Sequence, residues 1–449
     1  MVDVSAPTAS DAHACPPALH GEVISLTQSL LRIDSTNGNE TAVAEALAVY
    51  LAGSGIDVEL AGPDPARANL VARVPGRGTG PSLAFVGHGD VVPADARDWT
   101  HPPFAGVLDD DGFLWGRGAL DMKNEVAARA VALASLVREG FTPVGDLLLI
   151  VAADEEDGSA GIGMNWLVVN RPDLAVDLAL NEGGGLPYHL ADGRTLMEIG
   201  IGEKGTCPVR VDVLGEAGHA SVPTIGDNPL PRLGEVLRRI GRGVPVPTDH
   251  PTLRATLRAL LGGQAADELP LTEALGRAGE LHPVLGHLLP ALAGTTMAPT
   301  LLHGSAASNV IPARAGVGLD CRTLPGTSVA EVLADVRRRI ADDRAEISQP
   351  VPAVSGNASA PEGPLWAACQ EFAVEALDAQ LLPLLCTGFT DSVYLRHAFG
   401  TTAYGFSPFR STPPDVVTSG YHNRDERIHV DDLGLSVAFH RHVARRVLG

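Results

Sequence analysis

Three short apolar runs in this chain each end in side chains that can bind a cation or move a proton. Ser82-Leu-Ala-Phe-Val-Gly87 runs into His88-Gly89-Asp90, Asp146-Leu-Leu-Leu-Ile-Val-Ala152 into Asp154-Glu155-Glu156, and Asp177-Leu-Ala-Leu180 into Asn181-Glu182. Imidazole and carboxylate suit zinc and similar divalent ions. An imidazole that binds metal needs its second ring nitrogen occupied, and the carboxylate of His88-x-Asp90 is placed to do that. Of two adjacent carboxylates, one can hold a metal while the other takes a proton from activated water. Singly, each motif reads as readily as a solvated surface pair or charge run. Together they point to one crevice. Asp121, behind Gly116-Arg-Gly118 at the start of a helix, reads equally as that helix's N-cap or as a ligand.

For the three motifs to converge, the runs must be neighbouring strands of one sheet. In open α/β sheets, ligands bind outside the carboxyl ends of the strands. The surroundings fit. Helical spacing marks Leu19–Ile33, Thr41–Leu51 and Asp121–Arg138, and short strands are expected at Asp57–Leu60 and Asn69–Val74. Alternation of strand and helix predicts a doubly wound, largely parallel α/β domain. Near Gly205 the texture changes. Val209–Val213, Pro231–Ile240, Thr300–His303, Gly316–Asp320, Ser328–Ala341 and Ala345–Ile347 read as strand, helix, strand, strand, helix, strand, the split βαβ order of a ferredoxin-like α+β domain. After Ser355 the α/β texture resumes. The expected division is a catalytic domain over 1–205 and 355–449, and an inserted lid or dimerisation domain over 206–354. A flexible leader is expected over 1–20, and helices and loops should enlarge the insert over Gly243–Ala298.

Composition narrows the class. At 449 residues the chain exceeds what one core usually serves. A formal charge of −21 argues against nucleic acid as a partner. The five cysteines are widely spaced with no C-x-x-C pair, which excludes a disulfide framework and a thiolate metal site. No apolar run has the length of a membrane span, and no basic-then-apolar leader is seen, so a cytoplasmic location is the default expectation.

Four motifs in order carry a family resemblance: His88-Gly-Asp90-Val-Val-Pro, Leu114-Trp-Gly-Arg-Gly-Ala-Leu-Asp121-Met-Lys, Asp154-Glu-Glu156 and Asn181-Glu182-Gly. The chain resembles the dinuclear zinc hydrolases that include aminoacylase, acetylornithine deacetylase, succinyl-diaminopimelate desuccinylase and glutamate carboxypeptidase. A late Tyr421-His422-Asn-Arg-Asp-Glu-Arg-Ile428 completes the pattern. The resemblance implies that Asp121 bridges two metals, that His88 and Glu182 complete one site, and that Glu156 and His422 complete the other. It also implies that Asp90 orients His88, that Glu155 is the general base, and that a cis peptide follows Asp121. Two Zn²⁺ per chain are implied, with Co²⁺ or Mn²⁺ able to substitute. The substrate would be a small molecule with a free carboxylate, an N-acyl amino acid or dipeptide, whose amide is cut by water activated between the metals.

The insert resembles the family too. Gly215-Glu-Ala-Gly-His219-Ala-Ser-Val-Pro223 matches the segment whose histidine stabilises the tetrahedral oxyanion, often from the partner in a homodimer. Asn309 in Asn-Val-Ile-Pro312 and Arg322 in Asp320-Cys-Arg-Thr match substrate-carboxylate segments, and Gly388 and Thr390 match a Gly-rich turn near the substrate. Phe389 and Asn124 depart from the family pattern, as does the enlarged insert. A ureido or carbamoyl amide hydrolase and a catalytically silent binding relative are the competing readings.

Overall fold

The computed structural model describes residues 13–241 and 243–449. Two compact units divide the chain: residues 1–201, 359–384 and 390–449 in one, and 202–358 with 385–389 in the other. In chain order, the first unit begins with helices α1 (Pro17–Leu31) and α2 (Glu40–Ala52) and strands β1 (Asp57–Ala61), β2 (Asn69–Val74) and β3 (Leu83–His88). Helix α3 (Lys123–Arg138), strand β4 (Leu147–Ala152), helix α4 (Met164–Asn170), strand β5 (Leu178–Asn181) and the long strand β6 (Thr195–Glu203) follow. The second unit contains β7 (Val209–Leu214), α5 (Pro229–Ile240), four consecutive helices α6–α9 (Pro251–Leu261, Gly263–Glu268, Leu271–Glu280, Pro283–Leu292), β8 (Thr296–His303), β9 (Arg314–Thr323), α10 (Val329–Ile340) and β10 (Ala345–Ser348). The chain then returns through α11 (Gly363–Leu377), β11 (Gln380–Cys386), α12 (Ser392–Phe399), β12 (Thr402–Gly405) and α13 (Val430–Leu448).

The first unit is built on a mixed sheet in the order β1-β2-β4-β3-β5-β12-β6. Its centre, β4-β3-β5-β12, is parallel; β2 and β6 pair with it antiparallel, and β1 pairs antiparallel with β2. The central strands are apolar and buried at nearly every position, as expected of strands covered on both faces. Helix α3 is buried all round from Lys123 to Leu136 and packs between α1 and α13. Its alanines let these neighbours approach closely. Gly87 serves the same end on β3, where a Cβ would meet Val126 Cγ2 at 2.9 Å and Met122 Cε at 3.0 Å.

The second unit has the sheet order β10-β7-β9-β8, antiparallel throughout, with α5 and α10 packed together. That is the ferredoxin-like arrangement. Its separate core gathers Val211, Val213, Val236, Val317 and Val336. Helices α6–α9 fill the stretch read from sequence as helices and loops.

Two expectations need correction. Of the leader expected over 1–20, residues 1–12 lie outside the described residues, but α1 already starts at Pro17 and Leu19 is in the core. Apolar periodicity there prevails over the Pro/Ala-rich composition. Strand β6 was not expected. Its sequence Thr-Leu-Met-Glu-Ile-Gly-Ile-Gly-Glu carries two glycines, and both are required where another backbone lies too close for a Cβ.

Candidate metal centre

The parallel register puts the three motif-bearing strand ends on one edge of the sheet: His88 pairs with Ala152 and Phe85 with Leu180. His88, last residue of β3, is buried, and its Nε2 lies 3.1 Å from Asp121 Oδ1 and 3.6 Å from Glu182 Oε2. On the other side of Asp121, His422 Nε2 lies 3.2 Å from Oδ2 and 2.8 Å from Glu156 Oε2. Two trios result, His88–Asp121–Glu182 and Asp121–Glu156–His422, and in each the donor atoms lie within 4.8 Å of one another. They share Asp121 through its two different oxygens. Glu155 belongs to neither trio, but its Oε2 is 3.9 Å from His88 Nε2.

Asp121 is not a helix cap. Met122 holds the N-cap position of α3, and both Asp121 oxygens face imidazoles. The Asp121–Met122 peptide is cis. The loop before it wraps around the buried carboxylate of Glu426, to which Arg117 Nη1 (2.8 Å) and the N–H groups of Gly118 (3.0 Å), Leu120 (2.6 Å) and Asp121 (3.0 Å) donate. Asp90 acts in two directions. His88 Nδ1 lies 3.0 Å from the Asp90 carbonyl oxygen, closer than the 3.5 Å to its carboxylate. That carboxylate instead accepts the backbone N–H groups of Glu155 (3.3 Å) and Glu156 (3.0 Å). One residue thus positions one histidine and the turn bearing two acids. Asp154 and His422 have φ of 58° and 56°, left-handed values uncommon outside glycine, although Asp and His adopt them more readily than most residues.

The electrostatics call for positive charge. Burial opposes ionisation of Asp121, but hydrogen bonds from His422 and His88 outweigh it and hold the carboxyl below its ordinary range. The hydrogen bonds from Asp121 and Glu156 push the His422 imidazole up to about 10. His88 is raised as well: burial disfavours its cation, yet the Glu182 charge and the Asp121 bond prevail. Burial, helped by the Glu182 charge, pushes the Glu155 carboxyl well up. Four carboxylates and two imidazoles in so small a space attract cations, as protons or as metal. The donor set is imidazole nitrogen and carboxylate oxygen without thiolate, and Glu156 Oε1 is buried with no partner among the described residues. These residues fit two divalent ions.

Other expected residues have more local settings. His219 is exposed in a short pairing of Gly218–His219 with Val310–Ile311, its Nδ1 2.7 Å from Ser221 Oγ. Asn309 is exposed and accepts the Ala220 N–H at 3.0 Å through its carbonyl. Arg322 pairs with Asp320 through Nε (2.7 Å) and Nη2 (3.1 Å). Gly388 belongs to the second unit, whereas Thr390 is buried in the first. His101 packs edge-on against Trp115 in the small sheet of Phe113–Trp115 and Arg427–His429. Glu426 had no role legible in the sequence beyond its place in the run 421–428. Nor was Arg129 legible there: fully buried on α3, it donates to the Val86 carbonyl two residues before His88, to Glu125 and to His440 Nε2 (3.1 Å).

Comparison with known proteins agrees with this geometry. Residues 84–446 match the model of peptidase family M20/M25/M40. Succinyl-diaminopimelate desuccinylase of Methylobacterium sp. (strain 4-46) is 29% identical over 431 residues, which are 94% of each chain. The N-fatty-acyl-amino acid synthase/hydrolase PM20D1 of Mus musculus is 28% identical over 386 residues, 81% of this chain and 74% of that one. Among solved structures, the M20 family metallo-carboxypeptidase Sso-CP2 from Sulfolobus solfataricus superposes with a TM-score of 0.69 at 18% identity, over 95% of this chain and 99% of that one.

Proposed function

From the premise that this chain belongs to peptidase family M20/M25/M40, whose members are metal-dependent hydrolases of C–N bonds, we propose that it cleaves the amide of a small N-acyl amino acid or dipeptide at a two-zinc centre. The observation that carries this reading is the pair of trios sharing Asp121, with Glu155 beside but outside both. His88, Asp121 and Glu182 would hold one ion, and Asp121, Glu156 and His422 the other. Bound there, such ions polarise a carbonyl and acidify water. Glu155 takes the proton from the attacking water and passes it to the departing nitrogen. Asp90 keeps Glu155 and Glu156 in register with His88 through the two amides it accepts.

His219 as oxyanion donor, Arg322 and Asn309 as holders of the substrate carboxylate, and Gly388 and Thr390 as parts of the substrate turn rest on motif resemblance, as does a homodimer. In its present pairing Arg322 must share its guanidinium between Asp320 and any substrate carboxylate. The test is one panel of N-acetyl, N-succinyl and N-carbamoyl amino acids and dipeptides, assayed with and without chelator while metal content is measured. Turnover that survives complete metal removal sinks the proposal. Sedimentation at assay concentration tests the dimer, which should show twice the 46.6 kDa of one chain.

A further inference from the structure

Three acids stand side by side on the turn after β4, and each goes to a different partner. Glu156 Oε2 lies 2.8 Å from His422 Nε2, and Glu155 Oε2 lies 3.9 Å from His88 Nε2. Asp154 turns to Arg67 instead. Its Oδ1 accepts Arg67 Nη2 at 3.0 Å, and its Oδ2 accepts the Gly161 N–H at 2.8 Å. The side chains of Asp154, Glu155 and Glu156 are only 1%, 11% and 5% exposed, so little water separates their charges. Carboxylates so close repel one another strongly. Among the described residues, Arg67 is the one permanently charged cation within ion-pair distance of any of the three.

Arg67 is itself held. Its Nε (2.8 Å) and Nη2 (2.5 Å) donate to Oε1 of Glu40, the buried first residue of α2, whose Oε2 accepts the Gly38 N–H at 3.0 Å. One planar guanidinium thus spans two buried carboxylates, which suits the fork of an arginine better than the point charge of a lysine. Two residues on, Asn69 braces the same turn. Its Oδ1 accepts the Ala153 N–H (2.9 Å), and its Nδ2 donates to the Ile162 carbonyl (2.9 Å). With Asp90 on the amides of Glu155 and Glu156, each residue from 153 to 156 is tied down at its backbone or its side chain.

We propose that Arg67 is a positioning residue that sorts this acid triplet: by fixing Asp154, it leaves Glu156 to the ion and Glu155 to the attacking water. The role of Glu155 rests on the hydrolase reading, to which Arg67 adds a residue outside all the motifs. Without the guanidinium, repulsion among the three acids is uncompensated and the turn shifts. Displacing a catalytic group by about 1 Å lowers turnover by about a hundredfold.

The full chain is compared with Arg67→Met, Arg67→Lys, the double variant Arg67→Met/Asp154→Asn and a control, Arg73→Met. Arg73 makes a similar bridge on β2, to Asp146 (2.6 Å) and Asp173 (3.4 Å), at the opposite end of the β2–β4 pair. Metal-loaded proteins are read by kcat and KM on N-acetyl, N-succinyl and N-carbamoyl amino acids and dipeptides. Metal-free proteins are read by amide hydrogen exchange over 153–162. Arg67→Met should lower kcat about a hundredfold with KM within about twofold, and speed exchange over 153–162 by about tenfold. Arg67→Lys keeps the charge without the fork and should lose about tenfold in kcat. It carries the test should Arg67→Met not fold. The double variant, with the Asp154 charge gone as well, should recover about tenfold over Arg67→Met. Arg73→Met should keep the parent's kcat and its exchange over 153–162. An equal loss in Arg73→Met, a double variant no faster than Arg67→Met, or parental kcat and exchange in both Arg67 variants overturns the proposal. If the parent cleaves none of the panel, the hydrolase reading falls and exchange alone decides. Faster exchange over 153–162 in the Arg67 variants but not in Arg73→Met then upholds the hold on the turn, and equal protection in all removes it.

Discussion

At the scale of single residues, the division between holding metal and moving protons has separable consequences. Glu155→Gln removes the proposed proton acceptor but no donor of either trio. It should lower kcat by about a hundred- to ten-thousand-fold. Metal content, read by mass spectrometry on the same sample, should stay at two per chain, and loss of metal would show Glu155 to be a ligand. Asp121→Ala and His422→Ala should differ from it and from each other. The first removes the shared donor and should empty both positions, whereas the second should leave the His88–Glu182 position filled. Equal metal content in the two variants would contradict a bridging Asp121. Much of this site was legible in the sequence. His88, Glu155, Glu156 and Glu182 follow from polar residues at the ends of buried strands. Asp121 and His422 did not follow from spacing: one had a competing role as a cap, the other was one of fifteen histidines. Family resemblance alone singled them out. Asp90 was legible as a partner of His88, but its bonds to the amides of Glu155 and Glu156 were not, because they cross between strands that only the sheet register brings together.

Elements depend on buried polar groups that hold them in place. Glu426 gathers Arg117 and three backbone N–H groups around the loop that delivers Asp121. Glu426→Ala strands a buried guanidinium and should cost about 3–5 kcal/mol in denaturant unfolding of the metal-free protein. A loss near zero would mean that water replaces the carboxylate easily. In the second unit, Lys204 plays a similar part, donating through Nζ to the carbonyls of Ala291 and Gly294 (both 2.7 Å) at the end of the helical insertion. Burial, reinforced by the Arg322 charge, pushes its ammonium down to about 8 from an ordinary 10.5. The unfolded chain therefore binds more protons than the folded one between those values, and folding stability gains from a rise in pH across that window, on the order of 3 kcal/mol from this group. Lys204→Met should flatten that part of the stability–pH curve, and a curve parallel to the parent's would refute the assignment. At this scale the sequence was legible where periodicity was strong, in α3, β3, β4 and the ferredoxin-like order. It was obscure in β6, whose glycines mask its strand character, and in α12, too short for periodicity to stand out from its neighbours.

For the whole molecule, metal should act as a ligand of the folded state alone. At a free concentration a hundredfold above the dissociation constant, each filled position adds about 2.7 kcal/mol to stability. Chelation should therefore abolish turnover and lower the thermal midpoint together, and resupply should restore both. A midpoint unmoved by complete removal would mean that the ligand cluster is equally well held without ions. No described helix is long and apolar enough to cross a membrane. The two-unit layout carries one more consequence, in the order of synthesis. His88, Asp121, Glu156 and Glu182 are all translated before the second unit begins. His422 and α13, which packs on α1 and α3, come only after it is finished. A nascent chain thus carries all the proposed donors for one ion, and two of three for the other, through more than two hundred rounds of elongation, while the helix that closes their core is still unmade. On the proposed two-ion reading, the third donor of the second position arrives only with His422, so a chain stopped short of it would lack that donor.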